Sequence, residues 1–421
     1  MTAEIAVMNQ SAAALAADSA ATRSEGKIFN ANKIFALSKY QPVAIMVYGM
    51  AACMNVPWET VIKEFREQLG DKEFPKVADY GNEIFTFIAS DRTLFPEAQQ
   101  QLFAYFYAST KFDRIKQDIL RGVQKAIEAK GPITRADGDA VVQQVIAQRV
   151  EFWKERPRRS KLPRDVRRRT REQYGDQIVK ARDEVFQDLP LTAKQRETLM
   201  QITLDSWYKQ PAVGHSGIVI AGFGRRDMFP ALVSYEIDGV LLNRPVYWQQ
   251  RDLALDHIHN ALIVPFAQDD MFRLFVEGVT PEYERFVEGY FKEIITGLTA
   301  IAVDALPTDK PTQAIKDQLD ENRTTLIDSL GGKLAEKRQA LYVKPLLSIV
   351  AALPMDELAS LAESLVNLTS LRRRVSLEQE SVGGPIDVAV ISRGDGLVWI
   401  KRKHYFPGEL NQQFFANYFR R

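Results

Sequence analysis

Two runs of small and apolar residues, separated by a polar turn, open this chain. They read Thr2-Ala3-Glu4-Ile5-Ala6-Val7-Met8, then Asn9-Gln10-Ser11, then Ala12 to Ala17. The pattern predicts a β-hairpin that enters a sheet from residue 2. Chain termini are normally frayed, so a terminus tied into a sheet has its first residue held in place. That constrains the fold and what the first residue can do. Asp18-Ser19-Ala20-Ala21-Thr22 follows directly, and Asn32-Lys33-Ile34-Phe35 comes after a further turn.

Thr2 is small enough for Met1 to be trimmed, which would expose a free α-amine on Thr2. An α-amine titrates at about 7.7–8.0 when unperturbed, so it can accept the proton of the hydroxyl in its own residue. A nearby ammonium such as Lys33 would disfavour protonation of that amine and stabilise developing negative charge, with Asp18 orienting it. On residue types alone the same positions also describe an ordinary start, a turn aspartate and a surface lysine.

Taken with their spacing, Thr2, Ala16-Ala17-Asp18-Ser19-Ala20-Ala21-Thr22 and Lys33-Ile34-Phe35 resemble the catalytic β subunits of the proteasome and its bacterial relatives, the N-terminal nucleophile hydrolases. Asp18 falls at that family's interval from the nucleophile, and Lys33 is one residue short. The resemblance implies an oxyanion-hole backbone N–H at Gly49, where the strand Val43-Ala44-Ile45-Met46-Val47 ends, two residues beyond the family spacing. Such a donor is often worth a few kcal/mol of barrier. It also implies supporting positions. The family's Asp-x-x-Ser-Gly-Gly corresponds to Glu378, or Gln379 if aligned without a gap, with Ser381 and Gly383, and Val382 intervenes after the serine. A mid-chain serine is absent from Ile263-Val264-Pro265-Phe266-Ala267-Gln268, which leaves Gln268 as its candidate substitute.

What the resemblance implies is an α+β fold: a four-layer α-β-β-α Ntn-hydrolase sandwich with two large helical insertions. The activity implied is that of a threonine peptidase or amidohydrolase with Thr2 as nucleophile, acting on peptides or unfolded protein. Homo-oligomerisation and an ATP-dependent unfoldase partner are implied with it, and no cofactor or metal. The alternative is a catalytically altered scaffold or binding subunit of the same fold.

The expected organisation is a sheet core in three pieces: residues 2–49, 214–268 and 376–421. A helical insertion over 50–213 and a helical layer with a second insertion over 269–375 separate them. From Pro57 to Lys209 the pattern is helical, with Trp58, Val61, Ile62 and Phe65 on one face. Strands return at 217–223 and 231–237. Residues 282–303, 312–340 and 343–375 read as helices, with breaks near Pro307, Pro311 and Pro354. Within the last, Leu358, Leu361, Leu365 and Val366 form a stripe that fits either an intermolecular face or internal packing.

With 421 residues, 46% of them hydrophobic, the chain can bury a large core. A net charge of +1 implies no global preference for nucleic acid or an anionic membrane. The single Cys53 excludes an internal disulfide framework and fits a core position in a reducing compartment. The sequence has no basic n-region ahead of its first apolar run and no stretch of about 18 apolar residues, so a cytoplasmic protein is expected. Between Lys154 and Arg171 ten Lys or Arg stand against Glu155 and Asp165. With no aromatic residue to stack bases, this reads as a solvated helix face or an interface to acidic partners rather than a nucleic-acid site. The rings of His257 and His259, two apart, would diverge on a helix and favour a structural role over a metal site. Arg393-Gly394-Asp395 reads as a hairpin turn. No P-loop or dinucleotide fingerprint is present.

Overall fold

The computed structural model describes residues 3–22, 28–158, 163, 165–209, 216–267, 269–305, 312–375, 383–404, 406–413 and 416. Its strands are β1 (Ala3–Asn9), β2 (Ala12–Asp18), β3 (Ala20–Thr22), β4 (Ile28–Asn30), β5 (Ile34–Ala36), β6 (Val43–Gly49), β7 (Ala52–Cys53), β8 (Val56–Pro57), β9 (Ser216–Gly222), β10 (Ala231–Leu241), β11 (Arg244–Ala254), β12 (Ala261–Ala267), β13 (Ile386–Ser392) and β14 (Gly396–Lys401). Its α-helices are α1 (Trp58–Leu69), α2 (Val77–Ser90), α3 (Glu97–Lys130), α4 (Arg135–Glu155), α5 (Val166–Val185), α6 (Ala193–Tyr208), α7 (Asp270–Glu277), α8 (Pro281–Asp304), α9 (Thr312–Arg338), α10 (Lys344–Val350) and α11 (Met355–Arg374). The chain is α+β and divides into two compact units, residues 1–34, 228–230 and 254–421 in the first and residues 35–227 and 231–253 in the second.

The first unit is built on an antiparallel sheet in the order β12-β1-β2-β13-β14. The N-terminal hairpin lies inside this sheet, and every residue of β1 and β2 is buried. Predominantly apolar runs, broken in β1 by Glu4, are what strands covered on both faces require. Asn9 makes the hairpin turn: its Oδ1 accepts from the N–H groups of Ser11 and Ala12 at 2.9 and 3.3 Å. Its Nδ2 donates to the carbonyls of Val350 and Leu353, where α10 ends. One face of the sheet, carrying Ala12, Ala14, Ala16, Val388 and Val390, shares a core with Leu358, Ala359, Ala362, Leu365 and Val366 of α11. Small residues on both sides let helix and sheet approach closely. The stripe on α11 is therefore internal packing, with Pro354 capping the helix at its start.

The second unit holds the antiparallel sheet β11-β10-β9-β6-β5 and six helices between β8 and β9. Helices α1 and α2 bury Trp58, Val61, Ile62, Phe65, Tyr80 and Ile84 in one core with Ile45, Ile218, Ile220 and Val233 of the sheet. Helices α3 to α6 form a second core around Phe112, Ile115, Tyr174, Ile178, Leu199 and Trp207. Threonine N-caps begin two of them, Thr134 with Asp137 and Thr192 with Gln195, each pair satisfying otherwise orphaned N–H groups. The bundle also holds the β10–β11 turn, where Leu242 and Asn243 have φ of 55° and 57°. Such a turn matches strand twist but costs a leucine strain. Tyr174 Oη accepts from Leu242 N–H at 3.2 Å, and Gln100 Oε1 from Asn243 N–H at 2.9 Å.

Leu358 is fully buried on α11, whereas Met355 one turn earlier is 37% exposed. Leu358→Ala should cost about 2–5 kcal/mol of unfolding free energy. Met355→Ala should stay within about 0.5 kcal/mol. Urea unfolding followed by circular dichroism checks both.

Candidate functional site

Asp18 ends β2, and its carboxylate collects donors from three other segments. Oδ1 accepts from Ala3 N–H at 3.1 Å and from Lys33 Nζ at 2.5 Å, and Oδ2 accepts from Gly383 N–H at 2.9 Å. Lys33 immediately precedes β5 and reaches a second carboxylate, Glu4 Oε1, at 3.0 Å. The Glu4 and Asp18 side chains have no exposed surface, and that of Lys33 is 7% exposed. Burying charges is tolerable only when attraction and hydrogen bonds offset lost hydration. The three donors on Asp18 meet that condition.

The segment after 382 is seated on the same strand end. Gly383 O accepts from Ala20 N–H at 3.0 Å, Ser19 Oγ donates to Pro385 O, and Ser19 O accepts from Ala31 N–H at 2.8 Å. Gly384 has φ of +78°, and a Cβ there would lie 2.9 Å from Asn30 Oδ1. Backbone conformation and close approach both select glycine.

Asp18, Lys33 and Gly383 are thus brought together. Thr2, Gln268, Glu378 and Ser381 lie outside the described residues. Gly49 belongs to the second unit, at the end of β6 opposite Ser216, with φ of +78°. Sequence reasoning passed over Glu4. The signal was there: it is the one charged residue in an otherwise apolar strand, and such a residue needs a partner.

Beside Gly49 a cavity of about 290 Å³ opens, walled by Met50 and Met54 beyond β6, by Leu102 and Phe106 of α3, and by Lys111 and Asp238. A roomier cleft between α3 and α4 carries Asp118, Arg121 and Arg149. Burial raises the Asp118 carboxyl's affinity for a proton, but hydrogen bonds from Arg149 and Arg121 outweigh it and hold the group below the usual carboxylate range. The residues lining that cleft include no Ser, Thr or Cys.

Other sequence features resolve locally. His257 and His259 sit on a turn rather than a helix, where Asp256 Oδ1 accepts from the N–H groups of Ile258 and His259 at 2.7 and 2.5 Å. Among the described residues no cluster of His, Cys, Asp or Glu could hold a metal ion. Arg393-Gly394-Asp395 forms the β13–β14 turn, closed by Ser392 and Asp395. In the basic stretch Arg168 pairs with Glu172 and Arg171 with Glu197, both at 2.8 Å on exposed helix surface. Among the described residues no helix is long and apolar enough to cross a membrane.

No protein-family model matches this chain, and no curated protein matches it. Solved structures that match include Anbu proteins. Anbu from Hyphomicrobium sp. strain MC1 is 9% identical, over 99% of this chain and 95% of that one, with a TM-score of 0.29. Anbu (ancestral beta-subunit) from Yersinia bercovieri is 9% identical, over 98% and 93%, at 0.25. The third, from Pseudomonas aeruginosa, is described as a helical assembly of the Anbu complex and matches at 9%, over 98% and 93%, at 0.24.

These names overturn the assignment to the β subunits of the proteasome and its bacterial relatives, since Anbu is proteasome-like but a distinct family. The physical reason lies in how little of the chain carried that resemblance. Its motifs occupy short stretches around the strand ends, and the spacing drifts at Lys33, Gly49 and Val382.

Cys53 is 4% exposed. Burial first, and then the charge of Asp238, push its thiol from an ordinary 9.0 up to about 12. Because the folded value is the higher one, its contribution to stability is complete below 9.0 and is lost as pH rises toward about 12. A thiol reagent at neutral pH should label Cys53 only after unfolding, as intact mass will show.

Proposed function

We propose that this chain is an N-terminal-threonine hydrolase, a peptidase or amidase, with Thr2 as its nucleophile. The observation that supports it is the buried Glu4–Lys33–Asp18 cluster, in which the Asp18 carboxylate also accepts the N–H of Ala3, the residue covalently next to Thr2. A buried ammonium beside the chain start has a use when an alkoxide develops there.

In this reading the α-amine of processed Thr2 takes the hydroxyl proton as Oγ1 attacks the scissile carbonyl carbon. The oxyanion is stabilised by Gly49 N–H, and the Lys33 ammonium offsets charge at the attacking oxygen. Collapse breaks the C–N bond. The leaving amine takes the proton back from the α-ammonium and an ester remains on Thr2. Water, deprotonated by the same amine, then hydrolyses the ester. Gly383 supports the cluster through Asp18, while Gln268, Glu378 and Ser381 are assigned as supporting positions. The cavity beside Gly49 is assigned to an apolar side chain of a peptide or unfolded substrate. Self-association and a partner unfoldase belong to the same proposal. So does a four-layer α-β-β-α arrangement.

A second reading, a binding subunit of this fold without turnover, is favoured by the altered supporting positions: Val382 inserted after Ser381, and no serine over 263–268.

Two measurements separate them. Intact mass should show Met1 removed, and Thr2→Ala should abolish labelling by an N-terminal-threonine-directed electrophile and lower kcat by at least about a thousandfold. Retained Met1, or labelling that survives Thr2→Ala, points to the binding subunit.

Glu4 is assigned as a positioning residue. Lys33 is hydrogen-bonded to Asp18 and ion-paired with Glu4 Oε1 at 3.0 Å, so the two carboxylates together fix where the ammonium sits. The cluster holds two carboxylates to one ammonium, so removing Glu4 leaves Lys33 paired with Asp18 rather than an uncompensated buried charge. Glu4→Leu should therefore leave Tm unchanged or raised while kcat falls, by up to about 100-fold for a misplaced catalytic group, with KM unmoved. Glu4→Gln, which still presents an acceptor, should recover most of the loss. Differential scanning calorimetry beside steady-state kinetics checks both.

A further inference from the structure

Helix α8 carries large apolar residues over about half of its circumference, yet none of its residues is buried. Val287, Phe291 and Ile295 are half-buried on a helix against which α9 packs. A second stripe, Tyr283, Phe286, Tyr290, Ile294, Leu298 and Ile301, is 42–68% exposed. At 3.6 residues per turn these six lie within an arc of about 120°, the width of a helix face that seeks a partner. At about 200 Å² per large side chain, their exposed surface totals roughly 700 Å². That exceeds the largest apolar patch of an ordinary monomer, about 300–600 Å². It approaches the ~800 Å² that each partner contributes to a standard interface.

The order of the residues says what covers the stripe. The intervals along it are 3, 4, 4, 4 and 3. They read the same from either end, with the centre of symmetry at Lys292. An isologous two-fold contact places residue i of one chain on j of the other and j on i, so its pattern must survive reversal. Laid antiparallel on itself, α8 sets Tyr283 against Ile301, Phe286 against Leu298 and Tyr290 against Ile294. Each pair joins an aromatic ring to a branched aliphatic side chain, and no aromatic meets its own kind. The rings of Phe286 and Tyr290 already stack in parallel, 6.1 Å apart, along the open face.

We propose that the exposed stripe of α8 is a two-fold interface with the α8 of a second copy of this chain, the helices running antiparallel. This names the surface that would carry the self-association proposed above, and it does not depend on catalysis by Thr2. A charge-swap experiment on the full-length protein tests it by sedimentation velocity at micromolar concentration, with circular dichroism and Tm showing that each variant is folded. Wild type should sediment at twice the 47.8 kDa chain mass or a multiple of that. Phe286→Glu alone and Leu298→Lys alone should each halve the wild-type mass. An equimolar mixture of the two should regain it, because antiparallel pairing sets the introduced carboxylate of one variant on the introduced ammonium of the other. A wild-type monomer, or wild-type mass retained by Phe286→Glu, overturns the proposal. Flotation of monomeric wild type with anionic vesicles, abolished by Phe286→Glu, overturns it too by giving the face to lipid. Folded single variants whose mixture stays at the halved mass exclude the antiparallel register and overturn it as well.

Discussion

A single carboxylate organises the first unit. Asp18 lies at the end of a strand of alanines and has no water to hydrate it, so its hydrogen bonds must come from the protein. It draws them from the backbone of Ala3, the backbone of Gly383 and the ammonium of Lys33. In meeting that need it fixes the first strand, the approach to the β13 strand and the lysine ahead of β5. Small side chains make this possible. The alanines of β2 let α11 close over one face of the sheet. The glycines that follow residue 382 serve the same end, one by lending its N–H and the next by adopting a conformation that side chains resist.

Much of this was legible in the sequence. The N-terminal hairpin announced itself through composition, since an uninterrupted run of small and apolar residues has few other ways to be buried. Helices α1 and α2 were marked by the spacing of Trp58, Val61, Ile62 and Phe65. The Asp18–Lys33 pairing came from family spacing, and that route carried its own error: the motif suggested a close relative where whole-chain comparison finds none at the family level. Local motifs report the chemistry of strand ends, while most of the chain's mass lies in helices that obey only general packing rules.

The misses have physical causes. Glu4 was overlooked because its neighbours made the strand look purely apolar, although a lone charge there demands a counter-charge that only tertiary structure can name. The histidine pair was placed on a helix because turns held by an aspartate side chain have no periodicity to detect. The role of the α11 stripe was undecidable, since an amphipathic helix looks the same whether it covers its own sheet or another molecule. Only the structure distinguishes α11, whose stripe is covered, from α8, whose stripe is open.

The hydrogen bond between Asp18 and Gly383 spans 365 positions of the chain. Strand β2 likewise waits for β13, which begins at Ile386, before it has neighbours on both sides. Contacts of such sequence separation form late, because loop-closure entropy must be met before they contribute. A chain emerging from the ribosome therefore carries Asp18 through 365 further positions before Gly383, one of the partners that enclose it, is added. The charged cluster is complete only when the final strands arrive. Truncated or stalled products, lacking those strands, would hold the early residues but never the assembled centre.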